Sequence, residues 1–154
     1  MTTPRTIKPK ERDVVIQALR AGVVPRMGLP LIQVGRVREL EAIVQDIRRI
    51  ADGGSALRFV IGSYGSGKTF FLTLARSIAL QEKLVTAHAD LTPDRRLYAT
   101  GGQARLLYTE LMRNVATRTK PEGGALASVV ERFVTSAISE GRDRDVSPET
   151  VIRE

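Results

Sequence analysis

Apolar positions recur along the chain with two periods, and these periods predict its elements. Val14, Val15, Ala18 and Leu19 fall on one side of a helix over Glu11–Arg20, with Gly22 as its stop. Leu40, Ile43, Val44, Ile47 and Ile50 line a second amphipathic helix over Val37–Ala51, closed by Asp52, Gly53 and Gly54. The same spacing predicts helices over Thr69–Gln81, about Gln103–Arg118 and about Ala125–Ser139. Two short β-rich runs, Leu57–Ile61 (LRFVI) and Leu84–Asp90 (LVTAHAD), read as strands. Between the first two helices, Gly22–Gly35 mixes three Gly and two Pro with apolar residues, which suits an ordered apolar loop better than a polar linker. Ser147 and Pro148 carry the signs of a helix start, the first as N-cap and the second as first helical residue. The succession strand, helix, strand and further helices predicts an α/β fold with a parallel sheet.

Composition narrows the class. A chain of 154 residues is of single-domain size, and an apolar share of 42% is that of a globular protein. With no Cys there is neither a disulfide framework nor a thiolate-bound metal, and one His excludes a histidine cluster. The longest uncharged stretches, 27–35 and 59–67, are nine residues each and too short for a membrane helix. No apolar segment follows the basic N-terminal residues, so a secretory signal is not expected and the chain reads as cytoplasmic. Residues 1–50 hold 10 basic and 5 acidic side chains, whereas 101–154 hold 8 of each, so the net charge of +7 is concentrated early. Nineteen of the 24 bases are Arg, whose planar fork suits phosphate. That bias is compatible with an anionic partner, and the plain alternative is a solvated Arg-rich surface.

One motif is specific. Gly62-Ser63-Tyr64-Gly65-Ser66-Gly67-Lys68-Thr69 fits G-x-x-x-x-G-K-[ST], the phosphate-binding loop (Walker A), flanked by a strand before it and a helix after it. The glycines let the backbone curl so that successive N–H groups form an anion nest, and the following helix adds its positive end. Lys68 is then the ligand of the β and γ phosphates of a nucleoside triphosphate, and the Thr69 hydroxyl a ligand of Mg²⁺. The fold expected with this motif is a three-layer P-loop NTPase sandwich with a parallel sheet. Residues 1–33 form its lead-in helix and apolar loop, and 34–154 the N-terminal portion of the ATPase domain.

Weaker features surround the motif. Val34-Gly35-Arg36-Val37-Arg38-Glu39-Leu40 lies 27 residues before it, Gly35 to Gly62, and resembles the hydrophobic-Gly-Arg-x-x-Glu-Leu box of AAA+ and STAND-type ATPases. The resemblance implies that Val24, Pro25, Val34 and Gly35 line the adenine pocket; the plain alternative is a helix start with its Arg in solvent. Asp90, at the end of the second strand, reads either as a Mg²⁺-side acid or base or as a cap on the Thr92-Pro93 turn. His88 reads as a packed, hydrogen-bonded strand histidine, and Arg95 and Arg96 as solvated. No run of four apolar residues ends in an acid pair, so the acid that orders Mg²⁺ and the acid that polarises water are both missing. The chain accordingly reads as the front of a longer ATPase domain, incomplete at its C-terminal side, with weak or no hydrolysis of its own.

GVVPRMGLPLIQVGRVREL, FVIGSYGSGKTFFL and HADLTPDRRLYATGGQARLLYTELMRN together resemble the bacterial BREX-system ATP-binding domain family. That resemblance implies an AAA+/STAND-like ATPase bound to other subunits of a phage-defence complex, with DNA as a further partner and no membrane. Two other readings stay open. One is a P-loop kinase with Asp90 as base and Arg95 and Arg96 as lid; the other is a basic, non-enzymatic module that binds nucleic acid or protein.

Overall fold

Local sequence signals place most of the helices, and tertiary bonds adjust some of their ends. In a computed structural model, which describes residues 8–25, 28–98 and 101–153, seven helices are present among the described residues. These are α1 (Pro9–Arg20), α2 (Leu29–Ile32), α3 (Val37–Ala51), α4 (Lys68–Gln81), α5 (Gln103–Arg113), α6 (Leu126–Asp143) and α7 (Pro148–Arg153). The first seven residues of the lead-in, and residues 26–27 of its apolar loop, lie outside the described residues. The chain divides into two compact units, residues 1–82 and 83–154.

In the first unit, α1 opens with Pro9 at a position where a missing N–H costs nothing, while the Lys8 N–H donates to the Glu11 carboxylate at 3.4 Å. Its buried residue is Val15, and the apolar loop closes over it. Gly28 sits at φ +75°, and a Cβ there would come within 2.6 Å of Val15 Cγ2, so this approach requires glycine. Leu29 and Pro25 are buried, and the part of the loop after residue 27 includes the short α2. Helices α3 and α4 are in contact, and they bury Ile43 and Ile47 from one and Phe71, Leu74, Ala79 and Leu80 from the other. Burying a large aliphatic or aromatic side chain contributes about 1.5–3 kcal/mol, so these residues hold the unit together.

In the second unit, Thr86 and Ala116 exchange two backbone hydrogen bonds, 3.0 and 2.7 Å long. Ala116 and Ala125 are fully buried, with Val115 and Leu107 beside them in the core. Helix α5 ends at Arg113, five residues earlier than the apolar period predicts, because Val115 and Ala116 leave the helix for that bridge and for the bond from Ala125 N to Val115 O. Helices α6 and α7 are joined by a tight turn, in which Val146 N donates to Gly141 O at 2.9 Å. Ser147 Oγ accepts from Thr150 N at 3.3 Å, the N-cap its sequence position predicts.

The sheet is where expectation and structure part. No three-layer α/β sandwich and no parallel sheet form among the described residues; pairing is limited to two isolated antiparallel bridges, Thr86 with Ala116 and Thr92 with Arg95. A strand is stable only when another backbone satisfies its N–H and C=O groups, and parallel pairing further needs a crossover that brings the two runs side by side. Leu57–Ile61 has no such neighbour among the described residues. Its alternate residues Leu57, Phe59 and Ile61 are 83, 78 and 92% exposed, so the face that a central strand would bury is open. Leu84–Asp90 keeps only the Thr86 bridge, and His88, expected to be packed, has an exposed side chain.

Candidate nucleotide-binding site

The loop that precedes α4 is shaped by residues drawn from four parts of the first unit. Arg58, on the run leading into it, donates from Nε to the Asp46 carboxylate of α3 at 2.5 Å. This hydrogen bond, reinforced by the guanidinium charge, holds Asp46 below the usual carboxylate range and raises Arg58 in turn. The run is thereby tied to α3 just before the chain turns at Gly62. A Cβ on Gly62 would meet Ser66 Oγ at 2.6 Å, so a larger residue there would require the Ser66 side chain to turn away. Ser66 N donates to Ser63 O at 3.3 Å, and Gly65 and Gly67 adopt φ of +76° and +81°. These left-handed glycines curl the backbone between Ser63 and the start of α4.

Lys68 occupies the centre of this curl. Its ammonium donates to the carbonyls of Gly62 at 2.9 Å and Ser63 at 2.7 Å, so the cation is held across the loop. Gly67 is the N-cap residue of α4, no side chain caps the helix, and its first turn holds no acid. The amides of that turn have no helical carbonyl four residues before them, and with no acid in the turn they present a positive end. Thr69 follows at an exposed position, and its carbonyl accepts from Thr73 Oγ1 at 2.8 Å. Tyr64 is fully exposed.

Two clefts flank the loop. One, of about 340 Å³, has Lys68, Ser66 and Gly62 on its wall with Phe59, Ile61 and Glu39. The other, of about 230 Å³, is bounded by Gly67, Phe70 and Phe71 on the α4 side and by Ile32, Gln33 and Val34 on the other. Val34 is 91% exposed at its mouth. The Gln33 side-chain amide donates to Gly35 O at 2.5 Å, which orders the turn into α3. Gly35 is in that turn but not on the cleft wall; Val24 is half-buried and Pro25 buried, and neither lines either cleft.

Arg36 is the residue that sequence reasoning passed over. It lines both clefts, and its guanidinium donates to the carbonyl of Ser66, thirty residues along the chain. The residue itself has φ +52°, a conformation that costs a non-glycine residue roughly 1–2 kcal/mol. A helix start followed by Arg looks solvated in the sequence, and the signal available was the Gly-Arg pair in the box before α3.

The residues named for the rival readings lie in the second unit. Asp90 is exposed, and Arg95 is 3.4 Å from the Glu110 carboxylate. No group of three His, Cys, Asp or Glu residues able to hold a metal ion occurs among the described residues. No helix among them is long and apolar enough to cross a membrane.

No curated protein and no solved structure matches the chain. A family model does, that of the BREX system ATP-binding protein BrxC/D, and it covers residues 7–151. That span takes in both units, the box before α3 and the whole glycine loop, and the chain therefore belongs to the BREX system ATP-binding protein BrxC/D family.

Proposed function

We propose that residues 62–69 bind the phosphates of ATP with Mg²⁺, and that the chain is the ATP-binding portion of an AAA+/STAND-like ATPase acting within a multi-subunit phage-defence complex. The observation that carries this reading is the Lys68 ammonium held over the loop by the Gly62 and Ser63 carbonyls, beside the uncapped start of α4. A triphosphate offers that ammonium full negative charge in place of two neutral acceptors, and charge-assisted bonds are roughly twice as strong as neutral ones. The amides of the first turn then meet the phosphate oxygens. Mg²⁺ keeps several waters and takes ligands chiefly from the nucleotide, and the exposed Thr69 is the residue whose hydroxyl would contribute from the loop. When bound, the ion would neutralise charge on the β and γ phosphates. The base is assigned to the cleft between Val34 and Phe70, a wall that shares Gly67 with the phosphate site. Other subunits, and DNA attracted by the Arg-rich surface, complete the proposed setting.

Calorimetric titration with ATP and Mg²⁺ tests the site. Lys68→Ala should weaken binding about ten- to a hundred-fold, corresponding to the loss of about 1.5–3 kcal/mol, with helicity unchanged. Wild-type affinity in a folded Lys68→Ala variant would reject it.

A further inference from the structure

We infer that Arg36 is a positioning residue for the phosphate loop, acting from outside the loop on the peptide between Ser66 and Gly67. The peptide unit is planar, so its carbonyl and its N–H point in opposite directions. The Arg36 guanidinium takes the Ser66 carbonyl, and the Gly67 N–H is thereby aimed to the other side. That peptide is easily misplaced. It joins Ser66 to a glycine at φ +81°, and glycine accepts positive and negative φ alike, so nothing in Gly67 itself prevents the unit from flipping. A flipped unit would turn a carbonyl where the bound anion requires a donor.

The placement of Arg36 bears this out from its own side. Its backbone carbonyl accepts from Leu40 N at 3.0 Å as the cap of α3, while its φ of +52° is unfavourable for a side chain with a Cβ. A cap needs no Arg, and Asn or Gly would tolerate that backbone more readily. The side chain reaches far enough that its guanidinium nitrogens lie 3.9 and 4.0 Å from where a Gly67 Cβ would stand. Arg36 therefore joins the turn carrying Val34 to the loop carrying Lys68, so that the two sides of the 230 Å³ cleft are set by one residue.

The inference rests on the nucleotide reading, and the experiment separates the two. ATP and ADP, each with Mg²⁺, are titrated into the wild-type chain, Arg36→Asn and Arg36→Lys, with thermal midpoints recorded alongside. Asn suits the backbone of position 36, so Arg36→Asn should keep its midpoint within a few degrees. It should bind both nucleotides more weakly by one common factor of about ten, the worth of one charged hydrogen bond. Arg36→Lys, which keeps a charged donor, should recover part of that loss, and it decides the matter if the Asn variant does not fold. Amide exchange over residues 62–67 should be faster in Arg36→Asn without nucleotide. A wild-type chain that binds neither nucleotide removes the nucleotide reading itself. Equal affinities in wild type and Arg36→Asn overturn the role of Arg36 alone, and a loss confined to ATP overturns it as well, by making Arg36 a γ-phosphate contact.

Discussion

Asp46 and Arg58 show how a single pair of side chains carries the loop's approach. The hydrogen bond from Arg58 lowers the Asp46 pKa below its ordinary value, so the folded state binds the Asp46 proton more weakly than the unfolded chain does. A depressed carboxylate contributes stability that is present above its unfolded pKa, near 3.9, and is lost as pH falls through the lower folded value. Urea midpoints of wild type and Asp46→Asn should therefore differ by a constant amount above about pH 5 and converge below about pH 4. A gap independent of pH would show that the pair is not the source of the difference. The pair is accessible to solvent, so added salt should narrow the gap as well. Neither this pair nor the Arg36 bond to Ser66 was legible in the sequence. Each joins residues twelve or thirty positions apart, and a side chain's reach across space leaves no period in the chain.

Elements divide by whether their stability is local. The range of α3 is legible to the residue, because its apolar stripe, its Asp52-Gly53-Gly54 stop and its hydrogen bonds all lie within the segment. The strands were not legible, because LRFVI and LVTAHAD have strand composition whether or not a second backbone lies alongside. The end of α5 belongs to the same class, where a bridge to Thr86 outcompetes one more helical turn. Asn114 holds that junction. Its side-chain amide donates to the His88 carbonyl at 3.0 Å and to Glu110 at 3.1 Å, joining the end of α5 to the bridged segment. Asn114→Ala should lower stability by about 1 kcal/mol, the net worth of an ordinary hydrogen bond, and the Thr86 and Ala116 amides should exchange faster. Unchanged exchange at those two amides would place the bridge's stability elsewhere, in the buried Ala116 itself.

For the molecule as a whole, binding and turnover make different demands on its two units. Both clefts beside the glycine loop are lined entirely by residues between 32 and 71, so in the proposed reading the phosphate cradle and Lys68 come from the first unit, as does the neighbouring Thr69 hydroxyl. These groups hold the ground state about as well as the transition state, and only differential binding accelerates a reaction. Hydrolysis also needs an oriented water and positive charge on the departing γ-phosphoryl group, and an Arg supplied for that purpose is worth 10³–10⁵ in rate. The cleft that contains Lys68 has one carboxylate on its wall, Glu39 of α3, and Arg36 on that wall is engaged with the Ser66 carbonyl. The expected outcome is a chain that binds ATP and turns it over far below the 1 to 10³ per second of ordinary enzymes. A phosphate-release assay on the purified chain decides it, with Lys68→Ala as the blank and Glu39→Gln beside it. Steady release above about one per second, absent from Lys68→Ala, would mean that a complete hydrolytic site is present. Its loss in Glu39→Gln would then identify α3 as the source of the water-polarising acid, and its persistence there would shift that role to a carboxylate outside this cleft.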